Sequence, residues 1–485
     1  MQIAARPSPF SMNLQARLDA LIARPLPLFV AIFLVFVLVY GASIILLPKR
    51  YGRLIVGDGI YYYVYLRSAV LDGDLEFTND YTIYQAFNTD DPRKKEEMLS
   101  RKTPTGMAGN FFSIGPAVLW SPVFLVTHAL ATIFGQAGDG FSYGYEAPIL
   151  FSSIAYGFIG IVLMYRVAAG MFSKFAAFVA ILGIWLGTNV VYYMGVSPSA
   201  SHVLSMFASA LFVFLWWRHT PHPSPLPQMG EGAKRMRRDW FVWGMSAGLM
   251  ALVRWQDSII ALLAFAEWIA DGRRTTNDQR QPGFSFRPLS FVNGLGFLLG
   301  AFVVFLPQML AWNVLYGSPF TIPQGYGFLG FWQPEMWNVL FSTKRGLFTW
   351  TPLLLFAALG FVPLYQKNKL LGACAFVILI LQTYTNGIVV DWWGGEAFGA
   401  RRFISLMPFF ALGLAAFIDF VRPRISQNAI LLALGAFLVW NNLFLLQYNL
   451  WLHGIGHISS IPTWQEMTLD KFTAPFKALE KLRNR

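Results

Sequence analysis

Apolar runs of roughly 20 residues, separated by short polar segments, repeat along the whole chain. A helix of that length crosses the ~30 Å hydrocarbon core of a bilayer, whereas the strands of membrane barrels are about 10 residues long and alternate apolar with polar positions. The pattern therefore predicts an all-α, polytopic membrane protein with about 11 transmembrane helices. We expect these helices near residues 28–47, 147–166, 174–193, 203–217, 239–252, 258–270, 289–314, 351–365, 370–386, 403–421 and 429–447.

Polar stretches divide the chain into a leader, a membrane domain and a tail. Residues 1–27 carry three arginines and are expected in the cytoplasm, because basic segments stay on that side. Residues 28–447 form the predicted transmembrane domain. Within it, residues 49–146 make a long first outer loop with interfacial helices, and residues 219–239 make a basic cytoplasmic loop with a Pro-rich insertion. Residues 448–485 form a tail with an amphipathic, basic helix, whose side of the membrane depends on the number of spans.

One apolar stretch, residues 111–134, is long enough to span but is interrupted by Pro116, Pro122 and His128. If it crossed the bilayer, the basic loop at residues 219–239 would face outward, against the tendency of Lys and Arg to stay inside. We therefore predict that this stretch is a re-entrant or surface helix at the outer face.

The composition excludes several classes of protein. With 55% hydrophobic and 13% charged residues, the chain is too apolar for a soluble protein of 485 residues. The net charge of +12 falls mostly in loops between predicted spans, so it indicates topology rather than nucleic-acid binding. The single cysteine, Cys374, excludes an intramolecular disulfide. The sequence has no phosphate-binding loop and no dinucleotide fingerprint, which argues against an ATP-driven pump.

The unusual polar residues collect on the outer side of this predicted topology. Asp58 stands between Gly57 and Gly59, just past the first span, where ionisable groups are expensive and usually functional. The other outer segments are GVSPSASH, which ends in His202, a break between two short spans with Arg254, Gln256 and Asp257, a loop containing STKRG, and DWWGGEAFGARR. A binding site is therefore expected at the outer surface, where glycines let the backbone approach a ligand.

The order of these motifs resembles that of bacterial membrane glycosyltransferases of the GT-C superfamily, in particular the family 39 type. The similarity rests on the Asp before aromatics after the first span, SIGPAVLWSPVF, a GSP loop, an RGLF loop before a span, and WWGGEAFGARRF. It implies a GT-C-like fold in the bacterial inner membrane, with an active site that faces the periplasm or the outside. It also implies an enzyme that moves a sugar from a polyprenyl-phosphate carrier to a lipid, glycan or protein acceptor.

The resemblance and the chemistry together assign roles to ten residues. Asp58 matches the position of the family's catalytic carboxylate and is expected to act as the general base. The cations expected at the donor phosphate are Lys344, Arg345, Arg401 and Arg402, because Arg grips a phosphate with two hydrogen bonds and Lys acts as a point charge. The residues expected to bind substrate are Tyr61, His202, Trp392, Trp393 and Glu396.

Simpler interpretations stand beside these roles. Asp58 could cap the following helix, and the basic pairs could be interfacial anchors. Arg254 and Asp257 are interpreted as a structural ion pair. The acids Asp72, Asp74, Glu76 and Asp80 are interpreted as a solvated turn of the first outer loop.

Other functions also remain open at this point. A transporter or flippase of lipid-linked sugars would be equally helical, basic and aromatic, but should carry midplane polar residues and often inverted repeats. A lipid-linked glycan polymerase or ligase would differ mainly in its oligosaccharide donor. No cofactor is predicted with certainty, and a divalent metal is left open without a motif that supports it.

Overall fold

A computed structural model describes residues 9–46, 52–88, 99–136, 138–219, 231–277, 288–395 and 397–483. Helices dominate these ranges, and the only β contacts within them are two isolated bridges, Lys102 with Ala108 and Leu329 with Val389. The prediction of an all-α polytopic membrane protein is therefore confirmed.

In the part of the chain that the structure describes, seven helices are long and apolar enough to cross a bilayer. They are Leu26–Leu46, Gly115–Ile133, Tyr143–Met171, Phe291–Tyr316 within Pro288–Tyr316, Lys369–Gly387, Arg401–Val421 and Gln427–Leu452. Shorter apolar helical segments are Lys174–Leu186, Asp239–Val253 within Glu231–Val253, and Leu353–Lys367, which consists of Leu353–Leu359 and Phe361–Lys367. The span Arg401–Val421 consists of the 3-10 helix Arg401–Leu406 and the α-helix Met407–Val421. The remaining α-helices are Pro9–Ala23, Asp58–Arg67, Thr78–Asn88, Val190–Gly195, His202–His219, Leu262–Asn277, Met336–Phe341, Leu347–Trp350, Trp464–Thr468 and Ala474–Arg483. One π-helix, Ser68–Asp72, and four 3-10 helices, Trp255–Ala261, Tyr326–Phe328, Arg401–Leu406 and Asp470–Thr473, complete the helical elements.

Several predicted spans are built from two pieces rather than one straight helix. The run at residues 174–193 ends its first helix at Leu186 and resumes as Val190–Gly195. Small residues explain the close packing of other pairs. A Cβ built on Gly360 would lie only 1.8 Å from the Gly413 carbonyl oxygen, so two helices touch backbone to backbone there.

The helix Gly115–Ile133 bears on the prediction for residues 111–134. It lies alongside the outer-loop helix Asp58–Arg67, with the Trp120 ring 6.5 Å from Tyr62 and the Phe124 ring 6.0 Å from Tyr63. Its length would also allow a span. Its placement on the outer surface stays a prediction.

Two basic residues from loops between the predicted spans, Lys367 and Arg422, lie at the same end of the bundle. The Lys367 ammonium lies 4.9 Å from the Phe172 ring, and the Arg422 guanidinium lies 5.5 Å from the Phe175 ring. At the same end, the backbone N–H of Ser173 donates to the Asp419 carboxylate at 2.9 Å. The polar segments predicted at the outer face lie together, with Asp58 in contact with Arg401 and Lys344 in contact with Trp393. The division into leader, membrane domain and tail stays a prediction, and residues 1–8, 220–230 and 484–485 lie outside the described ranges.

Candidate active site

Two glycines hold Asp58 at the start of its helix. Gly57 has a φ of 59°, which a side chain would strain, and a Cβ on Gly59 would lie 2.7 Å from the Ser199 Cβ. The helix Asp58–Arg67 has Gly57 at its N-cap, with no side-chain cap. Asp58 therefore does not cap this helix. Its carboxylate accepts a hydrogen bond at 2.5 Å from the Arg401 guanidinium, 343 residues away in the chain.

The segment DWWGGEAFGARR folds back on itself and presents both arginines. Gly394, Gly395 and Gly399 have φ values of 73°, 70° and 69°, which is the left-handed region that favours glycine. Arg402 donates to the Asp391 carboxylate at 2.7 Å and to the Asp391 carbonyl at 3.0 Å. Asp391, the first residue of this segment, therefore binds Arg402 near its end, while Arg401 contacts Asp58 on the helix Asp58–Arg67.

The STKRG segment packs on the same loop. The Lys344 ammonium lies 3.4 Å from the centroid of the Trp393 ring, a cation–π contact. Arg345 is buried, and its Nε donates to the Ala397 carbonyl at 2.8 Å. Its φ of 67° is a conformation that costs a residue with a side chain about 1 kcal/mol. Strain of this kind often marks a functional position.

The two loops together line one small cleft that is partly open to solvent. It is lined by Arg345, Trp392, Trp393, Arg401 and Arg402, among others. Five residues predicted as phosphate or sugar contacts are therefore neighbours in the structure. Glu396, predicted to bind substrate, lies outside the described residues.

His202 is buried beside the cleft and contacts a further arginine. Its Nδ1 is 2.7 Å from the Arg254 guanidinium, and its ring meets Tyr193 edge-on at 4.7 Å. Because a guanidinium can only donate, Nδ1 must accept, so His202 is neutral with its proton on Nε2. His202 therefore positions Arg254 and holds no proton at Nδ1.

The predicted ion pair between Arg254 and Asp257 is not formed at contact distance, although Arg254 is near enough for its charge to stabilise the buried Asp257 carboxylate. Within the described residues no carboxylate lies within 4.0 Å of the Arg254 guanidinium, and Asp257 instead accepts a hydrogen bond from Ser205 at 2.5 Å. The chain breaks helical geometry at Arg254, whose φ and ψ are extended, and this turns the guanidinium toward His202 rather than toward the next turn. The sequence placed Arg254 among the outer polar residues but indicated a structural role, and its contact with His202 was not predicted.

The aromatic residues after Asp58 divide between two surroundings. The Tyr61 ring stacks on Phe112 at 4.8 Å and meets Tyr81 at 5.7 Å, so it packs within the outer loop. Tyr62 is buried, and its hydroxyl accepts a hydrogen bond from Ser201 at 2.9 Å. Burial, with the nearby Asp58 carboxylate, raises the pKa of Tyr62 to about 12, so its hydroxyl stays protonated. Tyr62, which was not predicted as a site residue, lies near the charges of Asp58 and Arg401, whereas the predicted Tyr61 packs among aromatic rings.

The acids of the first loop do not all form a solvated turn. Asp72 and Asp74 are exposed as predicted, but Asp80 is fully buried and lies 3.3 Å from the Arg67 guanidinium. Arg67 also pairs with Asp72. Burial raises the pKa of Asp80 to about 7, although Arg67 opposes the shift. The interpretation of Asp80 as solvated is wrong, because the helix Thr78–Asn88 turns this side chain inward.

The cleft carries an excess of positive charge. Within the described residues, Arg345, Arg401 and Arg402 line the cleft, and Lys344 and Arg254 lie beside it. The carboxylates near these five cations are those of Asp58, Asp391 and the buried Asp257. Such an arrangement favours an anionic ligand such as a phosphate. In the same ranges, no three His, Cys, Asp or Glu side chains are grouped as a metal ion would require.

No protein-family model matches the sequence, and no curated protein sequence matches it. Among solved structures, the chain is similar to an oligosaccharyltransferase from Archaeoglobus fulgidus, crystallised with zinc and sulfate. The two share 14% identity with a TM-score of 0.48 over 86% of this chain. The chain matches 55% of the length of that protein.

Proposed function

We propose that the protein is a membrane glycosyltransferase of the GT-C type, which transfers a sugar from a polyprenyl-phosphate donor to a lipid, glycan or protein acceptor. The observation that carries the proposal is the contact between Asp58 and Arg401. It joins a carboxylate suited to act as a base to a cluster of cations suited to hold a phosphate, in a cleft walled by two tryptophans.

In this reaction the acceptor hydroxyl oxygen forms a bond to the anomeric carbon of the donor sugar. The bond from that carbon to the phosphate oxygen breaks, and its electron pair leaves with the polyprenyl phosphate. Asp58 takes the proton of the acceptor hydroxyl. Arg401 and Arg402 stabilise the charge that develops on the departing phosphate.

The contacts of the cations indicate different roles for them in this proposal. Arg345 is tied to the Ala397 carbonyl and Arg402 to Asp391, so both also fix the loop that carries them. Arg254 donates to the neutral His202 and lies near the buried Asp257 carboxylate, but it forms no ion pair within 4.0 Å among the described residues, so it has donors that can reach a ligand. We therefore add Arg254 to the proposed phosphate site.

The two tryptophans suit the sugar. Their rings meet edge-on at 5.7 Å, and the Lys344 ammonium covers the face of Trp393. An aromatic face can stack on the apolar face of a sugar ring. In this proposal Lys344 moves from Trp393 to the phosphate when the donor binds, which uncovers the ring for the sugar.

The proposal is tested with purified protein in lipid nanodiscs and polyprenyl-phosphate sugars, by measuring release of polyprenyl phosphate and glycosylation of acceptor lipids. Asp58→Asn should abolish turnover, and Arg254→Ala should raise the donor KM with a smaller effect on kcat. Asp72→Asn is the matched control, since Asp72 also pairs with an arginine in the outer loop but lies outside the cleft. Full turnover by Asp58→Asn would remove Asp58 as the base.

The same assay separates the competing functions. A transporter or flippase would move the labelled lipid between leaflets without forming a glycosylated product. A polymerase or ligase would accept lipid-linked oligosaccharides and give little product with single sugars on a monophosphate carrier.

The proposed enzyme lies in a bacterial inner membrane with its cleft facing outward, because its lipid and acceptor partners meet there.

A further inference from the structure

The C-terminal tail packs against the end of the bundle that carries the candidate site. The last long helix, Gln427–Leu452, brings Tyr448 to 5.4 Å from the Phe398 ring, and Phe398 lies in the loop that presents Arg401. The tail elements Asp470–Thr473 and Ala474–Arg483 pack on the second half of this helix. The tail therefore lies at the outer end of the predicted topology, a side that the count of spans left open.

One face of the tail is apolar and exposed. Leu469, Phe472, Phe476 and Leu479 each leave at least half of their surface uncovered. They follow one another at spacings of three and four residues, so they share one face of a helical segment. Thr473, Lys477 and Lys481 are exposed on a neighbouring face, and Glu480, one turn after Phe476, is exposed at the edge between the two faces, which makes the tail amphipathic.

The depth of the tail can be read from its contact with the membrane helix. The ring of Trp440 lies about 20 Å along this helix from Gln427, at a rise of about 1.5 Å per residue. That distance falls within a hydrocarbon core ~30 Å thick that begins near Gln427, just after Arg422 and Arg424. Lys471 of the tail is fully buried with its ammonium over the Trp440 ring. The tail thus reaches to a depth where lipid chains surround the protein.

The surface of the long helix changes where the tail begins. In its first half, Leu432 and Val439 are exposed, as expected for side chains that face lipid. From Trp440 onward no residue of this helix is fully exposed, because the tail covers it. The exposed apolar face of the tail therefore continues the lipid-facing surface of this helix.

We propose that residues 464–483 lie embedded in the outer leaflet, with Leu469, Phe472, Phe476 and Leu479 against the acyl chains. Lys477 and Lys481, on the neighbouring face, then lie at the level of the lipid phosphates. The partner of this surface is the bilayer itself. Through Phe444 and Tyr448, which contact Phe398, the embedded tail supports the back of the loop that holds Arg401.

The test uses the full-length protein in nanodiscs of phosphatidylethanolamine and phosphatidylglycerol. Cys374 is first replaced by Ser, and single spin labels are attached at Phe476→Cys, at Leu479→Cys and at the control Thr473→Cys. We expect the labels at 476 and 479 to be several-fold more accessible to oxygen than to a nickel chelate, and the label at 473 to show the reverse.

Two results would overturn the proposal. Equal access of the nickel chelate to all three labels would place the apolar face in water. Protection of the 476 and 479 labels from both reagents would mean that protein, such as a second copy, covers the face.

A second experiment uses no spin label, so it does not depend on the folding of the labelled variants. Phe476→Asp, combined with Leu479→Asp, should release the tail, so that trypsin cleaves after Lys477 and Lys481 several-fold faster in intact nanodiscs. The control Thr473→Asp should leave the cleavage rate unchanged. These measurements need no enzymatic turnover, so their failure is separate from a failure of the proposed glycosyl transfer.

Discussion

Replacing Asp58 by Asn should abolish turnover and, at the same time, tighten the binding of phosphate. Asp58 forms an ion pair with Arg401, the residue proposed to hold the donor phosphate. A ligand phosphate must compete with this carboxylate for the same guanidinium. Removal of the carboxylate charge removes the competitor, although it also removes the proposed base.

The size of the effect follows from the geometry. The Asp58 side chain is 31% exposed and the Arg401 side chain 19%, so the pair is neither fully solvated nor dry. Unit charges about 4 Å apart interact by ~1 kcal/mol in bulk water and by ~4 kcal/mol at an effective dielectric constant of about 20. Exposed pairs measure at most about 1 kcal/mol. An intermediate value of about 1.4 kcal/mol corresponds to a tenfold change in the dissociation constant of the phosphate.

The assay is equilibrium binding of polyprenyl phosphate to the protein in nanodiscs, compared between the wild type, Asp58→Asn and Arg401→Ala. We expect binding about tenfold tighter for Asp58→Asn and weaker for Arg401→Ala. Because the pair is charged, the gain should shrink at high salt. The control Asp72→Asn should not change the affinity. Unchanged or weaker binding by Asp58→Asn would refute the idea that the carboxylate and the phosphate share Arg401.

Three further predictions test the strain, the buried acid and the topology. At Arg345, substitution by Gly should leave the protein about 1 kcal/mol more stable than substitution by Ala, because only Gly adopts a φ of 67° freely; thermal unfolding in detergent decides this, and equal stabilities would contradict the strain. Asp80 has its pKa raised by burial to about 7, so the folded state binds a proton more tightly and the free energy of unfolding should fall as the pH rises from about 4 to about 7. Asp80→Asn should flatten the unfolding temperature over this range, and a slope equal to that of the wild type would remove Asp80 as its source. In a Cys374→Ser background, an impermeant maleimide added to intact cells should label Gln333→Cys but not Arg424→Cys, both exposed positions, and the reverse pattern would invert the topology.

The class of fold was predictable because lipid imposes it. A segment in hydrocarbon must satisfy its own backbone hydrogen bonds, so a run of about 20 apolar residues forms a helix whatever its neighbours are. The interruptions were harder to predict. They depend on contacts such as that of Gly360 with Gly413, which are made between helices distant in sequence.

Individual site residues were also visible in the sequence, because charged and glycine-rich segments are rare in so apolar a chain. Asp58, Lys344, Arg345, Arg401 and Arg402 stood out by type alone. Their proposed roles stay predictions, but their neighbourhood around one cleft is a feature of the structure. Spacing along the chain did not predict the contact of Asp80 with Arg67 or that of Arg254 with His202, because each partner lies on another element.

The helical membrane fold, the polar segments predicted at the outer face and the residue types available for phosphate chemistry can all be predicted from the sequence. Which charges contact one another is known only from the folded chain. It paired Asp58 with Arg401, turned Arg254 to His202 instead of Asp257, and buried Asp80 beside Arg67. The physical reason is that periodicity reports how each segment meets its solvent, whereas an ion pair depends on the positions of two side chains in space. Those positions are fixed by helix packing between distant parts of the chain.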